Sequence, residues 1–431
     1  MNKVLISQNK HWEKRYENLY SRDIFSKLIS NLQSKHIQVL QGIRRAGKSS
    51  LFKLLINHLS QTSNPKEILY VNLDDPFFTK YSNSPESFYE IIQTAEKLTQ
   101  KKVKYLFLDE VQAIEGWEKY VKSVYDSGEF VKIFITGSNA SLLSGEFATL
   151  LTGRYISSKV YPLSFSEILK INNINTLLEL NKQLPKVLNI VDDMMFYGSF
   201  VEVYELENEV KRDLITSYYD TILFKDCIAN NSIRDIKGFK ELSFYLLSNL
   251  TSLYSYTSLS KSLKLNDKSV KDYIEILESC YLFSELKLHS YSLKEQINNK
   301  KKLYLCDNGF MNLGFNFSSN YGKLLENLVF SELVKKGFEL YFYNKTSKCD
   351  FIAKKEGKTI ALQVCYELHD QNRTREINGL FKLPFEVDKK YIITYNQNSS
   401  ALQGEALEDI EVVSFWGYFF DSPIPRSLIY P

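Results

Sequence analysis

In the first third of the chain, apolar residues come in short blocks, separated by longer segments where they recur every three or four positions. His36–Leu40, Ile68–Leu73, Tyr105–Leu108 and Val131–Thr136 are such blocks, and their length is that of buried strands. Between them the helical period predicts helices over residues 11–34, Ser49–Ser60, Pro85–Leu98 (with Ser84 as N-cap) and around Trp117–Tyr125. Short buried strands alternating with helices predict a parallel sheet covered on both faces. After Pro162 the pattern is helical, with little strand signal to about residue 250. Residues 251–305 read as helix, turn, helix and two short strands. A helix over Tyr321–Lys336 then leads to strands near Leu340–Tyr343, Phe351–Lys354, Ile360–Cys365 and Tyr391–Thr394, a second α/β unit. These changes of pattern divide the chain into 1–165, 166–250, 251–310 and 311–431.

Composition narrows the class. A length of 431 residues exceeds what one core organises, and 14% aromatic content supplies ample surface to bury. The net charge of +3 means that any basic surface must be local. Five cysteines, Cys227, Cys280, Cys306, Cys349 and Cys365, contain no C-x-x-C pair. That argues against a disulfide framework or a zinc site and fits a cytoplasmic protein. The N-terminal residues lack a signal-peptide core, and no apolar run is long enough to span a membrane.

Gly42-Ile43-Arg44-Arg45-Ala46-Gly47-Lys48-Ser49 fits G-x-x-x-x-G-K-[ST] in full, after a predicted strand and before a predicted helix. In that setting backbone N–H groups converge on phosphate oxygens. The expected nucleotide-binding set is Gly42, Arg44, Arg45, Ala46, Gly47, Lys48, Ser49 and Ser50. Lys48 is expected to reach the β- and γ-phosphates, and the Ser49 hydroxyl to ligate Mg²⁺. The strand Tyr105–Leu108 runs into Asp109 and Glu110. Asp109 is placed to hold the Mg²⁺ ion, and Glu110 to polarise the attacking water. The fourth apolar strand runs on to Ser138 and Asn139, either of which is placed to sense the γ-phosphate. Arg154, in Leu151-Thr152-Gly153-Arg154, is placed to reach a neighbouring subunit's nucleotide, with Arg44 and Arg45 as rivals for phosphate.

These motifs resemble, in order and wording, the AAA+-type bacterial and archaeal ATPases that carry a C-terminal domain of unknown function. The matching phrases are GIRRAGKSS, LFLDEVQAIEGW, ITGSNASLL and LLTGRY with YPLSFSEI, then FKDCI, LYLCDNGF, GKLLENLVFSEL, CDFIA, LQVCYEL and TREINGL. The resemblance implies an α/β architecture with an AAA+-like parallel-sheet core, a helical and winged-helix middle, and a C-terminal domain of the PD-(D/E)xK, restriction-endonuclease-like fold. It also implies ATP bound between subunits of a ring or helical homo-oligomer, with Asn139 as sensor and Arg154 as arginine finger.

The winged-helix segment has its own pattern. Tyr256–Leu263 is the first helix; Lys268–Cys280 is the second, with Asp267 as N-cap and Val270, Tyr273, Ile274 and Leu277 as its buried stripe. Lys268, Ser269, Lys271 and Asp272 are then exposed at the end that meets DNA in helix-turn-helix docking. The hairpin Leu286–Leu303 carries Lys287, Lys294, Lys300, Lys301 and Lys302 against one acid, Glu295. Lys300, Lys301 and Lys302 are the expected phosphate contacts; a solvated hairpin that touches only protein is the other reading.

In the nuclease-like segment Glu326 fits the helix acid and Asp350 the first strand acid. Gln363 stands where a second acid is expected and Cys365 where a lysine is expected. Neither supplies the charge that a metal-assisted hydrolysis needs, so the site reads as degenerate. The leading reading is a Mg²⁺-dependent ATPase that binds branched or single-stranded DNA and couples hydrolysis to remodelling or translocation. An ATP-gated DNA nuclease and a nucleotide-dependent signalling or defence scaffold remain open beside it.

Overall fold

Five short strands organise the N-terminal region: β1 (Ile37–Gln41), β2 (Ile68–Asn72), β3 (Tyr105–Asp109), β4 (Lys132–Gly137) and β5 (Tyr155–Lys159). They form one parallel sheet in the order β2-β3-β4-β1-β5. Every residue of β1 and β4 is buried, which is why their apolar residues cluster instead of alternating strictly with polar ones. Helix α1 (Asn2–Gln8), ahead of β1, and the crossover helices α2 (Lys48–Leu59), α3 (Ser87–Thr99) and α4 (Trp117–Ser127) cover the faces. On one face Phe52 of α2 meets Phe107 and Phe134, whose rings stack at 4.0 Å.

The computed structural model describes residues 1–139, 149–314, 320–398 and 409–420. By contact the chain forms two units, one of Met1–Tyr161 with Ser279–Tyr281, the other of Pro162–Glu278 and Leu282–Pro431.

Two readings in the first unit are corrected. Residues 11–34 do not form one amphipathic helix. A 3₁₀ turn at Lys10–Trp12 is followed by irregular chain and a short helix at Phe25–Ser30. The Asn57 side chain takes both backbone groups of Tyr16, accepting from its N–H at 3.0 Å and donating to its carbonyl at 2.8 Å. Those groups are therefore unavailable to an i→i−4 ladder. Ser84 does not cap α3 either; its hydroxyl turns to Glu86, and the helix starts at Ser87 with no side-chain cap.

The second unit is helical from Phe165 to Ser248. It continues into α5 (Tyr256–Leu263) and α6 (Asp267–Ser279), which bury Leu259 and the stripe Val270, Tyr273, Ile274 and Leu277. Asn266, not Asp267, receives the backbone N–H of Lys268 at the start of α6. The antiparallel strands β6 (Phe283–Leu286) and β7 (Lys302–Leu305) follow, separated by a short helix, α7 (Leu293–Asn298), where a plain hairpin was expected.

Helix α8 (Tyr321–Lys335) then leads to a mixed sheet of β8 (Glu339–Asn344), β9 (Lys348–Lys355), β10 (Lys358–Val364), β11 (Lys389–Thr394) and β12 (Ile410–Ser414). The order is β12-β11-β10-β9-β8, parallel across β10-β11-β12 and antiparallel across β8-β9-β10. Helix α9 (Asp370–Phe381) packs on β9, β10 and β11, and α8 on β7, β8 and β10. Strand β12 and helix α9 were not foreseen: the first is a lone five-residue strand and the second is mostly polar.

Hydrogen bonds cross the expected boundary at 310. The His289 N–H donates to the Phe342 carbonyl at 2.7 Å. Asn327 accepts from the Leu305 N–H at 2.8 Å and donates to the Leu305 carbonyl at 3.3 Å.

Candidate nucleotide site

At the carboxyl end of β1 the chain turns through a loop that only particular residues allow. Gly42 has φ +147°, and a Cβ there would stand 2.0 Å from the Val160 carbonyl oxygen. Gly47 has φ +94° and precedes the first turn of α2. Arg45 is left-handed at φ +69° with its side chain outward, an uncommon state for a non-glycine residue. The loop therefore brings backbone N–H groups to the N-terminus of a twelve-residue helix, the arrangement that favours anions. Lys48 is buried and folds back over the loop, donating to the carbonyls of Gly42 at 2.9 Å and Ile43 at 3.2 Å. Its Nζ lies 3.9 Å from Glu110 Oε1. Arg44 pairs with Asp74 at 3.5 Å, and Ser50 is exposed just past the loop.

The acid pair sits two strands away in the sheet. Asp109 is 1% exposed and accepts hydrogen bonds from Tyr70 at 2.7 Å, from Thr136 and from Ser49. Burial, then the neighbouring Glu110, pushes its carboxyl above the usual carboxylate range, and the three hydroxyl donors oppose that shift. Glu110 is left-handed at φ +52°. Its N–H donates to Thr136 Oγ1 at 2.9 Å, and its carboxylate accepts from Gln112 at 2.5 Å. Thr136 on β4 therefore ties both acids to the strand between β3 and β1. Ser49 and Asp109 together form an all-oxygen donor set in mutual contact. Such a set fits Mg²⁺, which takes one or two protein oxygens and leaves the rest to water and phosphate.

Three residues of this site had no place in the sequence reading. Arg22 is buried and donates to the Ala46 carbonyl at 3.0 Å and the Tyr161 carbonyl at 2.7 Å, clamping the loop from outside. Tyr70 and Thr136 looked like interior strand positions. Only the pairing of β2 with β3 and of β3 with β4 brings their hydroxyls to Asp109. Beside α2 a cavity of about 570 Å³ opens, lined by Ser50, Lys53, Tyr70, Lys10, Lys14 and Arg15 among others.

Asn139 and Ser138 are buried just beyond β4, at the same edge of the sheet as the loop. Arg154 lies at the opposite edge. Its carbonyl accepts from the N–H of Ile37, the first residue of β1, and its Nε pairs with Asp126 at 3.0 Å. A five-residue strand spans roughly 17 Å, so Arg154 stands about that far from the loop that follows β1.

In the second unit Lys268 and Lys271 are exposed at the start of α6, with Ser269 half-buried. Lys300 is exposed as expected, whereas Lys301 and Lys302 are not free phosphate contacts. Lys301 is buried, donating to the Ile297 carbonyl at 3.1 Å with its ammonium 4.4 Å from the centre of the Tyr256 ring. Lys302 pairs with Glu326 at 2.9 Å and Asp350 at 3.1 Å. In a strand, neighbouring side chains alternate between faces, so a run of three lysines at a strand start cannot all point to solvent. Gln363 accepts from the Asp350 N–H at 3.3 Å, and Cys365 is buried.

The AAA domain family profile matches residues 34–169, and two domains of unknown function, DUF8612 and DUF4143, match residues 188–320 and 321–415. The uncharacterized protein MJ1544 of Methanocaldococcus jannaschii is 34% identical over 417 residues, which cover 92% of this chain and 90% of that one. An uncharacterized protein of Haemophilus influenzae is 31% identical over 375 residues, covering 85% of this chain and 91% of that one. The chain is a member of this AAA-domain family. The AAA-domain match spans the whole of the loop and acid-pair geometry and ends at residue 169, close to the division between the two units. Aeropyrum pernix Orc1, solved in complex with DNA, shares 12% identity over 69% of this chain and 93% of that one. Its TM-score is 0.32, a likeness too loose to bear on function. Among the described residues, no helix of the AAA-domain protein is long and apolar enough to cross a membrane.

Proposed function

We propose that this AAA-domain protein is a Mg²⁺-dependent ATPase whose catalytic centre is the loop Gly42–Ser49 with Asp109 and Glu110. The observation that carries the reading is the convergence of Lys48 Nζ, 3.9 Å from Glu110 Oε1, with the Ser49–Asp109 hydrogen bond in the same corner of the sheet. Backbone N–H groups of the loop hold the phosphates, and Lys48 swings from the Gly42 and Ile43 carbonyls onto the terminal ones. Ser49 and Asp109 would hold the Mg²⁺ ion, which would supply neutralisation of the phosphate charge. Glu110 orients water for attack on the γ-phosphorus and takes its proton as the bond to the β-γ bridging oxygen breaks, releasing ADP and phosphate. Tyr70 and Thr136 keep Asp109 in place, and Arg22 holds the loop backbone. Asn139 or Ser138 senses the γ-phosphate. Arg154, remote from its own loop, acts on a neighbouring subunit's nucleotide in a ring or helical assembly.

The partner we propose is DNA, contacted by Lys268, Ser269, Lys271 and Lys300 of a winged-helix segment. The cationic cavity lined by Lys10, Lys14, Arg15 and Lys53 adds a second anion-attracting surface on the first unit. The remaining division of labour is a helical region over 166–250, the winged helix over 251–310 and a nuclease-like domain over 311–431. The test is the ATPase rate with and without duplex, single-stranded and forked DNA at stated salt. Stimulation by one DNA form, lost in a Lys268→Glu/Lys271→Glu variant, is expected. An ATPase rate indifferent to every DNA, with assembly driven by nucleotide alone, would replace this reading with the scaffold.

A further inference from the structure

The nuclease-like resemblance calls for a divalent metal held by Glu326 and Asp350. The residues present do not fit one. Lys302 Nζ lies between the two acids, 2.9 Å from Glu326 Oε1 and 3.1 Å from Asp350 Oδ1. The surrounding lone pairs are largely committed. Glu326 Oε1 also accepts from Tyr304 at 2.7 Å, Asp350 Oδ2 from the Val364 N–H at 3.1 Å, and Gln363 Oε1 from the Asp350 N–H. The side chains of Lys302, Glu326 and Asp350 are only 13%, 13% and 17% exposed, so water supplies little to complete a metal's coordination. Among the described residues no group of three or more His, Cys, Asp and Glu side chains is placed to hold a metal.

We propose that Lys302 is a tethered cation in the place of a divalent metal, so that Glu326 and Asp350 bind no catalytic ion and instead fasten β7 to the C-terminal sheet. The three groups come from three elements. Lys302 begins β7, which is registered against β6 through Leu286, Glu326 lies in α8 and Asp350 in β9. Because the Lys302 backbone is fixed in the β6–β7 pair, its ammonium stays tethered within reach of the acid pair, and its effective concentration there is high. Burial works against the Lys302 charge, but Asp350 and Glu326 overcome it and hold the ammonium above its usual range. Cys365 offers no anionic ligand in exchange, since burial pushes its thiol up to about 12.

The experiment is a Mn²⁺ titration of the full chain without nucleotide, followed by electron paramagnetic resonance of free Mn²⁺. Wild type and Asp350→Asn are expected to bind Mn²⁺ alike. Lys302→Met, which removes the tethered cation, is expected to gain a site at least about tenfold tighter than any in wild type, and adding Asp350→Asn should abolish that gain. A Mn²⁺ site in wild type that Asp350→Asn removes would overturn the proposal. So would Mn²⁺-dependent DNA cleavage lost in both Asp350→Asn and Lys302→Met, because Lys302 would then be a catalytic lysine. A folded Lys302→Met chain with no new site also refutes it. If that variant does not fold, the comparison of wild type with Asp350→Asn still decides.

Discussion

Two corners of this protein hold a lysine close to a pair of acids, and they are built for different ends. In the first unit Lys48 rests on the loop carbonyls of Gly42 and Ile43 and stands 3.9 Å from Glu110, outside a close ion pair. Asp109 is held by hydroxyl donors rather than by a cation. In the second unit Lys302 closes on both acids at 2.9 and 3.1 Å. The first arrangement keeps its lysine on two carbonyls, groups that a phosphate would replace under the proposed function, and its buried acid on groups that oppose its protonation. The second has already spent its charge on itself. Acid pairs and lysines do not by themselves make a reaction centre. What decides is whether the cation is committed to the acids or to groups that a substrate can replace.

The comparison breaks most sharply at the two lysines. Lys48→Ala is expected to weaken nucleotide binding by about 10²–10³-fold, read by titration with a fluorescent nucleotide, while Lys302→Met leaves it unchanged. Equal losses in both would mean that the corners are not independent. Glu110→Gln should keep ATP binding and lower turnover by about 10²–10⁴-fold; wild-type turnover would remove Glu110 from its role. For the second corner the expected loss is stability. Lys302→Met leaves two largely buried carboxylates facing each other, which costs about 3 kcal/mol, measured as a shift of the urea midpoint with the slope unchanged. A midpoint within error of wild type would show that the clamp does not hold the hairpin.

The smallest effects separate the units by pH. His11, buried between the Ile68 carbonyl at 3.0 Å and Tyr16 at 3.1 Å, is lowered to about 4 by burial, with the Ile68 bond opposing. The folded state therefore binds fewer protons at this group than the unfolded chain. Its stabilising contribution is present above 6.5 and is lost as pH falls from there towards 4. Glu278 is raised to about 7, chiefly by burial. Its contribution is complete below 4.5 and is lost as pH rises through about 7. His11→Gln and Glu278→Gln should each flatten the stability curve in its own window, by up to about 1.4 kcal/mol per pH unit. Flattening in the wrong window, seen by denaturation at stepped pH, would contradict the sign.

The order of β1 to β4, the P-loop and the acids at the end of β3 were legible because each is local. An apolar block ending in a fixed constellation specifies both a strand and the chemistry at its carboxyl end. The stripe of α6 was legible for the same reason, a period of 3.6 over about two turns. What was not legible depended on partners far along the chain. Residues 11–34 have a passable helical pattern, but Asn57 takes the backbone of Tyr16. The lysines at 300–302 look like a basic wing, yet strand alternation and two acids at 326 and 350 turn Lys302 inward.

The amino-acid sequence by itself determined that this chain builds a glycine-rich loop between a strand of a parallel sheet and a helix, since spacing and burial pattern over a few residues are enough for that. Only the tertiary structure decided which hydroxyls brace Asp109, which edge of the sheet carries Arg154, and that the second acid pair already holds a cation. Each of those depends on residues brought together from distant elements, and no local pattern encodes such a meeting.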